Sequence, residues 1–238
     1  MTLPAAVILA GGFGTRLPEV SATRPKPMAD VGGRPFLELV VAHLRSCGVR
    51  EVVFSTGYKS EVIEAHFGDG ARFGVAARCV REPEPLGTAG ALRLALPFLG
   101  DRALVLNGDT YVDVDVAAML AAHLAAGAAA TLAAVPREDA SRFGRLVVEG
   151  DRLTGFEEKR PERAPGLINA GVYLLERRVI EAIPAGRAVS FERETLPGLL
   201  AAGAPVGVFR HAGAFEDIGI PESLAAFREW AASPARGS

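Results

Sequence analysis

Short continuous apolar runs alternate with amphipathic segments along the first 110 residues of the chain. Ala5–Ala10 and Glu51–Thr56 have the length and residue types of buried strands, whereas residues 35–47 repeat apolar side chains at helical spacing and are followed by Gly48. The predicted elements are strand 5–10, helix 35–47, strand 51–56, helix 60–67, strand 75–81, helix 89–99 and strand 103–107. This alternation predicts an α/β fold with a Rossmann-like, mostly parallel sheet flanked by helices on both faces.

The pattern changes after about residue 140. Segments 145–149 and 152–157 flank the turn Gly150-Asp151 and predict a hairpin. The remaining predicted elements are strands at 167–175, 205–210 and 214–217 and a helix at Pro221–Ala232, and the alanine-rich residues 117–130 are interpreted as a helix that runs into a loop. We expect one domain over residues 1–238. Its second part, from about residue 141, is predicted to be a mixed-sheet extension that completes a pocket above the carboxyl ends of the first strands.

Composition narrows the class of protein. Hydrophobic residues make up 49% of the 238 residues, enough for a sizeable core, and no apolar run approaches the ~20 residues that span a bilayer. The net charge of -2 predicts no general affinity for nucleic acid or for a membrane. Cys47 and Cys79 lack metal-ligand spacing and no secretory signal is visible, so we expect reduced cysteines in a cytoplasmic protein.

Lysine is scarce in this chain. Only three of the 26 basic residues are lysine, namely Lys26, Lys59 and Lys159. A lysine retained against such an arginine bias suggests a position that needs a compact point charge. Local context supports this interpretation for Lys26 and Lys159, whereas Lys59 is assigned no role.

A glycine-rich loop follows the first predicted strand in the sequence Leu9-Ala-Gly-Gly-Phe-Gly-Thr-Arg-Leu17. Glycines let backbone N–H groups turn toward a phosphate, and Arg16 adds a cationic fork. Ten residues later, Pro25 and Pro27 bracket Lys26 and keep it out of regular structure. The loop matches neither the P-loop nor the dinucleotide fingerprint, and a glycine-rich loop taken alone is more often a tight strand–loop turn than a phosphate site.

Two aspartates are predicted to follow strands. Asp109 comes after the apolar run Leu104-Val-Leu, and Asp217 precedes a glycine. Acids at such strand ends can hold Mg²⁺ against phosphates, although each taken alone is equally typical of a helix cap or turn. A further polar group is formed by Glu158, Lys159 and, ten residues after Lys159, Asn169, which suit a sugar phosphate and its hydroxyls.

Seven short motifs in order resemble the sugar-phosphate nucleotidyltransferase family over residues 5 to about 227. They are LAGGFGTRL at 9–17, PKP at 25–27, GTAG at 87–90, NGD at 107–109, EEK at 157–159, NAG at 169–171 and DIG at 217–219. The resemblance implies a magnesium-dependent enzyme that joins a nucleoside triphosphate to a sugar 1-phosphate and releases pyrophosphate. It also implies a nucleotide-binding half up to about residue 140 and a sugar-binding half after it, without the C-terminal β-helix of longer relatives.

Site roles follow from the same resemblance. The nucleotide is expected to contact Leu9, Ala10, Gly11, Gly12, Gly14, Thr15, Arg16, Lys26, Glu82, Gly87 and Thr88. The sugar phosphate is expected to contact Gly108, Gly144, Glu158, Lys159 and Asn169. Asp109 and Asp217 are implied as the Mg²⁺ ligands, and the catalytic group as Arg16, Lys26, Asp109 and Lys159. A homo-oligomer is left open.

The base and the sugar are less constrained. Members that read thymine or uracil commonly carry a glutamine near the start of segment 81–90, which has none here, whereas Glu82 or Glu84 can accept hydrogen bonds from guanine. The run Glu84–Gly90 resembles guanylyltransferases for mannose and heptose phosphates. We therefore expect GTP and a heptose 1-phosphate, with mannose or N-acetylmuramate 1-phosphate as rivals and uracil as the rival base.

Two other classes remain as alternatives. A non-catalytic nucleotide-sugar-binding regulatory subunit would share the fold, but the retained Arg16, Lys26, Asp109 and Asp217 argue against it. A dinucleotide-dependent oxidoreductase would need a helix opening at the third glycine of the loop, and the prolines around Lys26 break that pattern.

Replacing Asp109→Asn tests the metal assignment. We expect turnover to fall by several orders of magnitude with the fold intact, because one of two expected magnesium ligands loses its charge. Pyrophosphate release measures turnover and circular dichroism measures folding, with Asp151→Asn in the predicted hairpin turn as a matched control. Near-normal activity of the Asp109 variant would refute the assignment.

Overall fold

The computed structural model describes residues 2–157 and 163–233. Its strands are β1 (Ala5–Ala10), β2 (Asp30–Val31), β3 (Arg34–Pro35), β4 (Glu51–Thr56), β5 (Ala76–Arg81), β6 (Arg102–Asn107), β7 (Thr110–Val112), β8 (Ala130–Arg137), β9 (Arg145–Glu149), β10 (Arg152–Glu157), β11 (Gly166–Glu176), β12 (Val206–Arg210) and β13 (Phe215–Asp217). Its α-helices are α1 (Pro18–Ser21), α2 (Phe36–Ser46), α3 (Ser60–Phe67), α4 (Gly87–Ala95), α5 (Val116–Ala125), α6 (Arg177–Glu181), α7 (Leu196–Ala201) and α8 (Pro221–Ala232). Short 3-10 turns cover Lys26–Met28, Ala71–Phe73 and Leu96–Phe98, and a π-helix covers Phe191–Thr195.

One large sheet runs through both halves of the chain, with strand order β5-β4-β1-β6-β11-β8-β12-β10-β9. The strands β5, β4, β1 and β6 are parallel, as the sequence predicts. Beyond β6 the sheet is mixed, since β11 runs antiparallel to both β6 and β8, and β8 is parallel to β12. The predicted mixed extension is therefore continuous with the parallel part and shares its hydrogen-bond ladder.

Helices cover both faces of the sheet. Successive residues of β1 point to opposite sides, so that Ile8 packs with Phe36 of α2 and Phe227 of α8 in one buried cluster, whereas Val7 packs with Leu92 of α4 in another. This confirms the prediction of a sheet buried on both faces. None of the helices in the described ranges is long and apolar enough to cross a bilayer.

Most predicted element bounds agree with the structure, and those of β1, β4, α3 and α8 are identical. The clearest omission is β8, where the sequence analysis assigns no element to residues 131–137. This strand is buried along most of its length between β11 and β12. Its Ala-Thr-Leu-Ala-Ala-Val sequence is only a weak strand pattern, because alanine favours helices and is depleted in strands.

Phe227 anchors the C-terminal helix to the core, and its loss should destabilise the whole chain. The ring is fully buried, lies 5.0 Å from the Phe36 ring and is stacked 5.2 Å from that of Trp230. We expect Phe227→Ala to lower the free energy of unfolding by about 3–5 kcal/mol, since it removes buried area and leaves a cavity. Urea denaturation measures this, and Phe98→Ala, at a ring that is 41% exposed, should cost less than about 1 kcal/mol.

Candidate active site

A cleft of about 420 Å³ opens at the carboxyl ends of β1, β5 and β6. Every residue predicted to contact the nucleotide lines it, namely Leu9, Ala10, Gly11, Gly12, Gly14, Thr15, Arg16, Lys26, Glu82, Gly87 and Thr88. The cleft is completed by Asp109 and by residues without a predicted role, namely Phe13, Pro27, Pro85, Ala91 and Asn107. Phe13, Pro27 and Asn107 belong to the motifs LAGGFGTRL, PKP and NGD, Pro85 lies in the run Glu84–Gly90, and Ala91 lies in none of these segments.

The glycine loop after β1 passes directly beneath Glu82. A Cβ added to Gly11 would collide with the Oε1 atom of Glu82, so a larger residue there would displace the Glu82 side chain from its present position. Gly14 has a φ of +64°, and its carbonyl accepts a hydrogen bond from the N–H of Leu17 at 2.9 Å. The loop is therefore a tight turn whose backbone faces the cleft.

The structure distinguishes between the two acids that the sequence leaves open for base recognition. Glu82 lines the cleft and its Oε2 accepts a hydrogen bond from the N–H of Leu86 at 2.9 Å, whereas Glu84 is exposed and lies outside the cleft lining. Burial raises the pKa of the Glu82 carboxyl, and the Leu86 hydrogen bond partly offsets that shift. Of the two acids, therefore, only Glu82 lines the cleft.

Lys26 and Asp109 meet within the cleft. Lys26 lies in the 3-10 turn between its two prolines, is only 8% exposed, and its ammonium forms an ion pair with Oδ2 of Asp109. Asp109 follows β6, as predicted. The Asp109 carboxylate thereby balances the charge of a buried lysine, and both side chains line the cleft together with the glycine loop.

Asp217 is brought to Asp109 by strand pairing. The strand β13 pairs antiparallel with β7, so that Asp217 lies opposite Thr110, and the N–H of Ile218 donates to the Asp109 carbonyl at 3.0 Å. Oδ1 of Asp217 accepts from the N–H of Gly219 at 2.7 Å, and Nη2 of Arg142 lies 3.5 Å from it. No sequence signal indicates Arg142, because its partner is distant in the chain.

The donor set of these two aspartates suits magnesium. Within residues 2–157 and 163–233, no three His, Cys, Asp or Glu side chains are arranged to hold a metal ion. Mg²⁺ does not need such a cage, since it is usually bound by one or two carboxylates and completes its octahedron with water and phosphate oxygens. Asp109, which lines the cleft, and Asp217, which lies outside the cleft lining but is brought next to Asp109 by strand pairing, match that requirement.

The predicted sugar residues are only partly described by the structure. The N–H of Asn169 donates to the Gly144 carbonyl at 3.1 Å, so these two meet as expected, and Gly144 packs so closely on Phe156 that a side chain there would collide with its ring. Gly108 does not line the cleft, and its N–H donates to the Leu9 carbonyl at 2.9 Å. Glu158 and Lys159 lie outside the described residues, so their roles remain predictions.

A partly buried hydrogen-bond network joins Asn169 to Thr88 in the cleft lining. Nδ2 of Asn169 donates to the Tyr173 hydroxyl at 2.8 Å, which donates to Oε1 of Glu192 at 3.0 Å, and Oε2 of Glu192 accepts from Thr88 at 3.0 Å. Burial, and secondly the nearby Glu192 carboxylate, raise the pKa of Tyr173 well above its usual range. No sequence pattern indicates that Tyr173 and Glu192 take part in this network, because their partners lie up to 104 residues away.

Comparison with known proteins identifies the class. Residues 5–232 match the Nucleotidyl transferase family, and the chain belongs to that family. It is 40% identical over 222 residues to the mannose-1-phosphate guanylyltransferase of Mycobacterium tuberculosis, with 92% of this chain and 62% of that protein covered.

Shorter relatives match over nearly their whole length. The chain is 36% identical to the D-glycero-alpha-D-manno-heptose 1-phosphate guanylyltransferase of Aneurinibacillus thermoaerophilus, with 91% of this chain and 94% of that protein covered. Among solved structures, HddC from Yersinia pseudotuberculosis complexed with GMP-PN is similar with a TM-score of 0.85 and 33% identity, covering 96% of this chain and 99% of that chain. These comparisons support the fold class that the sequence predicts, and the chain is a nucleotidyltransferase.

Proposed function

We propose that this protein transfers a guanylyl group from GTP to D-glycero-α-D-manno-heptose 1-phosphate, giving a GDP-sugar and pyrophosphate. The observation that carries the proposal is the single cleft into which the fold gathers all the predicted nucleotide-binding residues. The heptose enzyme of Aneurinibacillus thermoaerophilus, matched over 94% of its length, supports this sugar. We place the reaction in the cytoplasm, in keeping with the two free cysteines Cys47 and Cys79.

Mannose 1-phosphate is the second candidate sugar. The mannose-1-phosphate guanylyltransferase of Mycobacterium tuberculosis has the higher identity, 40%, but this chain spans only 62% of it. Both candidate reactions use guanine as the base, so they differ only in the sugar that would bind at the proposed subsite around Gly144 and Asn169.

Phosphoryl-transfer chemistry of this kind depends on positioning and charge. In the proposed reaction an oxygen of the sugar 1-phosphate attacks the α-phosphorus of GTP, the bond from that phosphorus to the bridging oxygen breaks, and pyrophosphate leaves with that oxygen. The N–H groups of the glycine loop and the Arg16 guanidinium would bind the triphosphate, and the Lys26 ammonium would stabilise charge that develops on the reacting phosphates. Lys159 is proposed to bind the sugar phosphate.

Magnesium is the proposed cofactor, held by Asp109 and Asp217. When bound, it would neutralise phosphate charge and polarise the α-phosphate. Asn169 would orient the sugar with the hydrogen-bonding capacity it has left. Its amide nitrogen gives one hydrogen to Tyr173 and its oxygen accepts one from the N–H of Gly171 at 3.0 Å, which leaves one donor and one acceptor position for sugar hydroxyls.

A substrate matrix tests the proposal directly. Purified protein with Mg²⁺ is offered five nucleoside triphosphates and a panel of sugar 1-phosphates, and pyrophosphate release is measured. We expect kcat/KM for GTP with the heptose 1-phosphate to exceed every other pair by about tenfold or more, a difference of about 1.4 kcal/mol in transition-state binding. Higher activity with mannose 1-phosphate would select the second candidate, and no turnover with any pair would favour the non-catalytic alternative.

Glu82→Gln tests the recognition of guanine. The carboxylate is proposed to accept from the N1–H and amino group of guanine, and loss of a charged acceptor of this kind costs about 1.5–3 kcal/mol, or roughly 10–100-fold in kcat/KM for GTP. The ratio of GTP to UTP activity should fall by that factor. Glu84→Gln is the matched control, since Glu84 is exposed outside the cleft lining.

The same carboxylate predicts a pH dependence. Because burial raises the pKa of Glu82, its protonated form persists to a higher pH than for an exposed glutamate, and protonation removes an acceptor. GTP affinity should therefore rise with pH as Glu82 ionises, and the Glu82→Gln variant should lack that rise. An unchanged GTP preference and an unchanged pH profile in the variant would contradict the role of Glu82.

A further inference from the structure

The turn between β4 and α3, residues Gly57, Tyr58 and Lys59, lies directly against the glycine loop. A Cβ added to Gly57 would lie 2.7 Å from the Gly11 carbonyl oxygen, so the two backbones are in contact. The N–H of Tyr58 donates to that carbonyl at 3.4 Å, and the Tyr58 ring lies 5.7 Å from the Phe13 ring. The turn therefore packs against the glycine loop at Gly11 and Phe13.

Tyr58 and Lys59 also bind the far end of the loop, where α1 terminates. The Tyr58 hydroxyl and the Lys59 ammonium each donate to the Ser21 carbonyl at 3.1 Å, and Lys59 donates to the Ala22 carbonyl as well. Carbonyls at a helix C-terminus have no partner within the helix, and a lysine is well suited to satisfy them. The ammonium further lies 5.2 Å from the centre of the Tyr58 ring.

Ser21 connects the contacts of Lys59 to the glycine loop. Its hydroxyl donates to the Gly14 carbonyl at 2.8 Å, at the residue whose φ of +64° makes the tight turn. Ser21 is itself buried. A continuous set of hydrogen bonds therefore runs from Lys59 through Ser21 to Gly14, at the centre of the proposed phosphate site.

The backbone of Lys59 adopts an unfavourable conformation to make these contacts. Its φ of 53° and ψ of 42° lie in the left-handed region, and within the described residues Lys59 is the only non-glycine with positive φ. A Cβ disfavours this region, and asparagine tolerates it far better than lysine does. Such outliers persist where surrounding structure holds them and they concentrate at functional sites.

We infer that Lys59 is a positioning residue that pre-organises the glycine loop for the nucleoside triphosphate without touching the nucleotide. The inference rests on the proposed binding of the triphosphate to that loop. Lys59 is not among the cleft-lining residues, so its effect passes through Ser21 and Gly14. A loop that adopts its binding shape only part of the time weakens apparent affinity by that fraction.

Lys59→Asn tests the inference, because asparagine fits the left-handed backbone but is too short to reach the Ser21 and Ala22 carbonyls. We expect KM for GTP to rise by about tenfold, with KM for the sugar 1-phosphate and kcat at saturating GTP changed less than about twofold. The melting temperature should not fall, since the backbone strain is relieved. A purely structural role would instead lower the melting temperature and affect both substrates alike.

Hydrogen exchange gives a readout that is independent of turnover. Amides of residues 14–22 should exchange faster in the free Lys59→Asn variant than in the wild type, and saturating GMP-PN should restore slow exchange. Lys59→Arg, which keeps donors for the two carbonyls, should retain nearly wild-type KM for GTP. Arg72→Asn is the control for loss of a surface cation. The Arg72 guanidinium lies 5.1 Å from the centre of the Phe73 ring and makes no contact with the glycine loop.

The outcomes separate the inference from the proposed function. Wild-type KM for GTP and wild-type exchange in the Lys59→Asn variant would overturn the inference while leaving the proposed function intact. A wild-type protein that neither binds nor turns over any nucleoside triphosphate would overturn the proposed function, and the inference with it. Raised KM for GTP with faster loop exchange and an undiminished melting temperature would support the inference.

Discussion

The antiparallel pairing of β7 with β13 is the constraint on which the proposed metal site depends. This short ladder places Asp217, near the end of the chain, opposite the residue that follows Asp109. Two three-residue strands are marginal by themselves, so the pair needs support from its surroundings. Arg137 supplies part of it, since its guanidinium donates to the Phe215 carbonyl at 2.6 Å and lies 4.9 Å from the centre of the Phe215 ring. Nε2 of His211 lies 2.8 Å from Oδ1 of Asp113, so the loop before β13 contacts the residue that follows β7.

Charge balance in the cleft follows from this pairing. Two carboxylates gathered at one end of a sheet repel each other unless cations lie beside them. Lys26 pairs with Asp109 and Arg142 lies near Asp217, so each acid has a cation beside it. The Arg142 side chain is 47% exposed and its contact is long, so it is worth little energy and is easily given up. Lys26, by contrast, is buried and lies between two prolines, which suits its proposed role beside the phosphates.

Sequence reasoning succeeded where the signal is local. The strands β1 and β4 are short continuous apolar runs. The cleft residues lie at the ends of such strands, in the loops that follow them, in the proline-bracketed turn at Lys26 or in helix α4, so periodicity and motif order indicate most of them. It failed at β8, whose alanines resemble a helix, and at contacts between distant segments. Neither the insertion of β11 between β6 and β8 nor the approach of Arg142 to Asp217 has a signal in the residues themselves. The proposed role of Lys59 was missed for the same reason, because its partners lie 37 and 38 residues away.

The Glu192 carboxylate connects Asn169, which is proposed to bind the sugar, with Thr88, which is proposed to bind the nucleotide. Thr88 accepts a hydrogen bond from the N–H of Phe191 at 2.8 Å and gives its own hydrogen to Glu192, so it can meet a nucleotide only as an acceptor. Tyr173 likewise receives from Asn169 and gives its hydrogen to Glu192, which fixes the Asn169 amide in one orientation. A π-helix places Glu192 at this junction, as such helices often do at functional sites. Because Asn169, through Tyr173, and Thr88 both depend on Glu192 for their orientation, the proposed sugar contact and the proposed nucleotide contact are coupled through this one carboxylate.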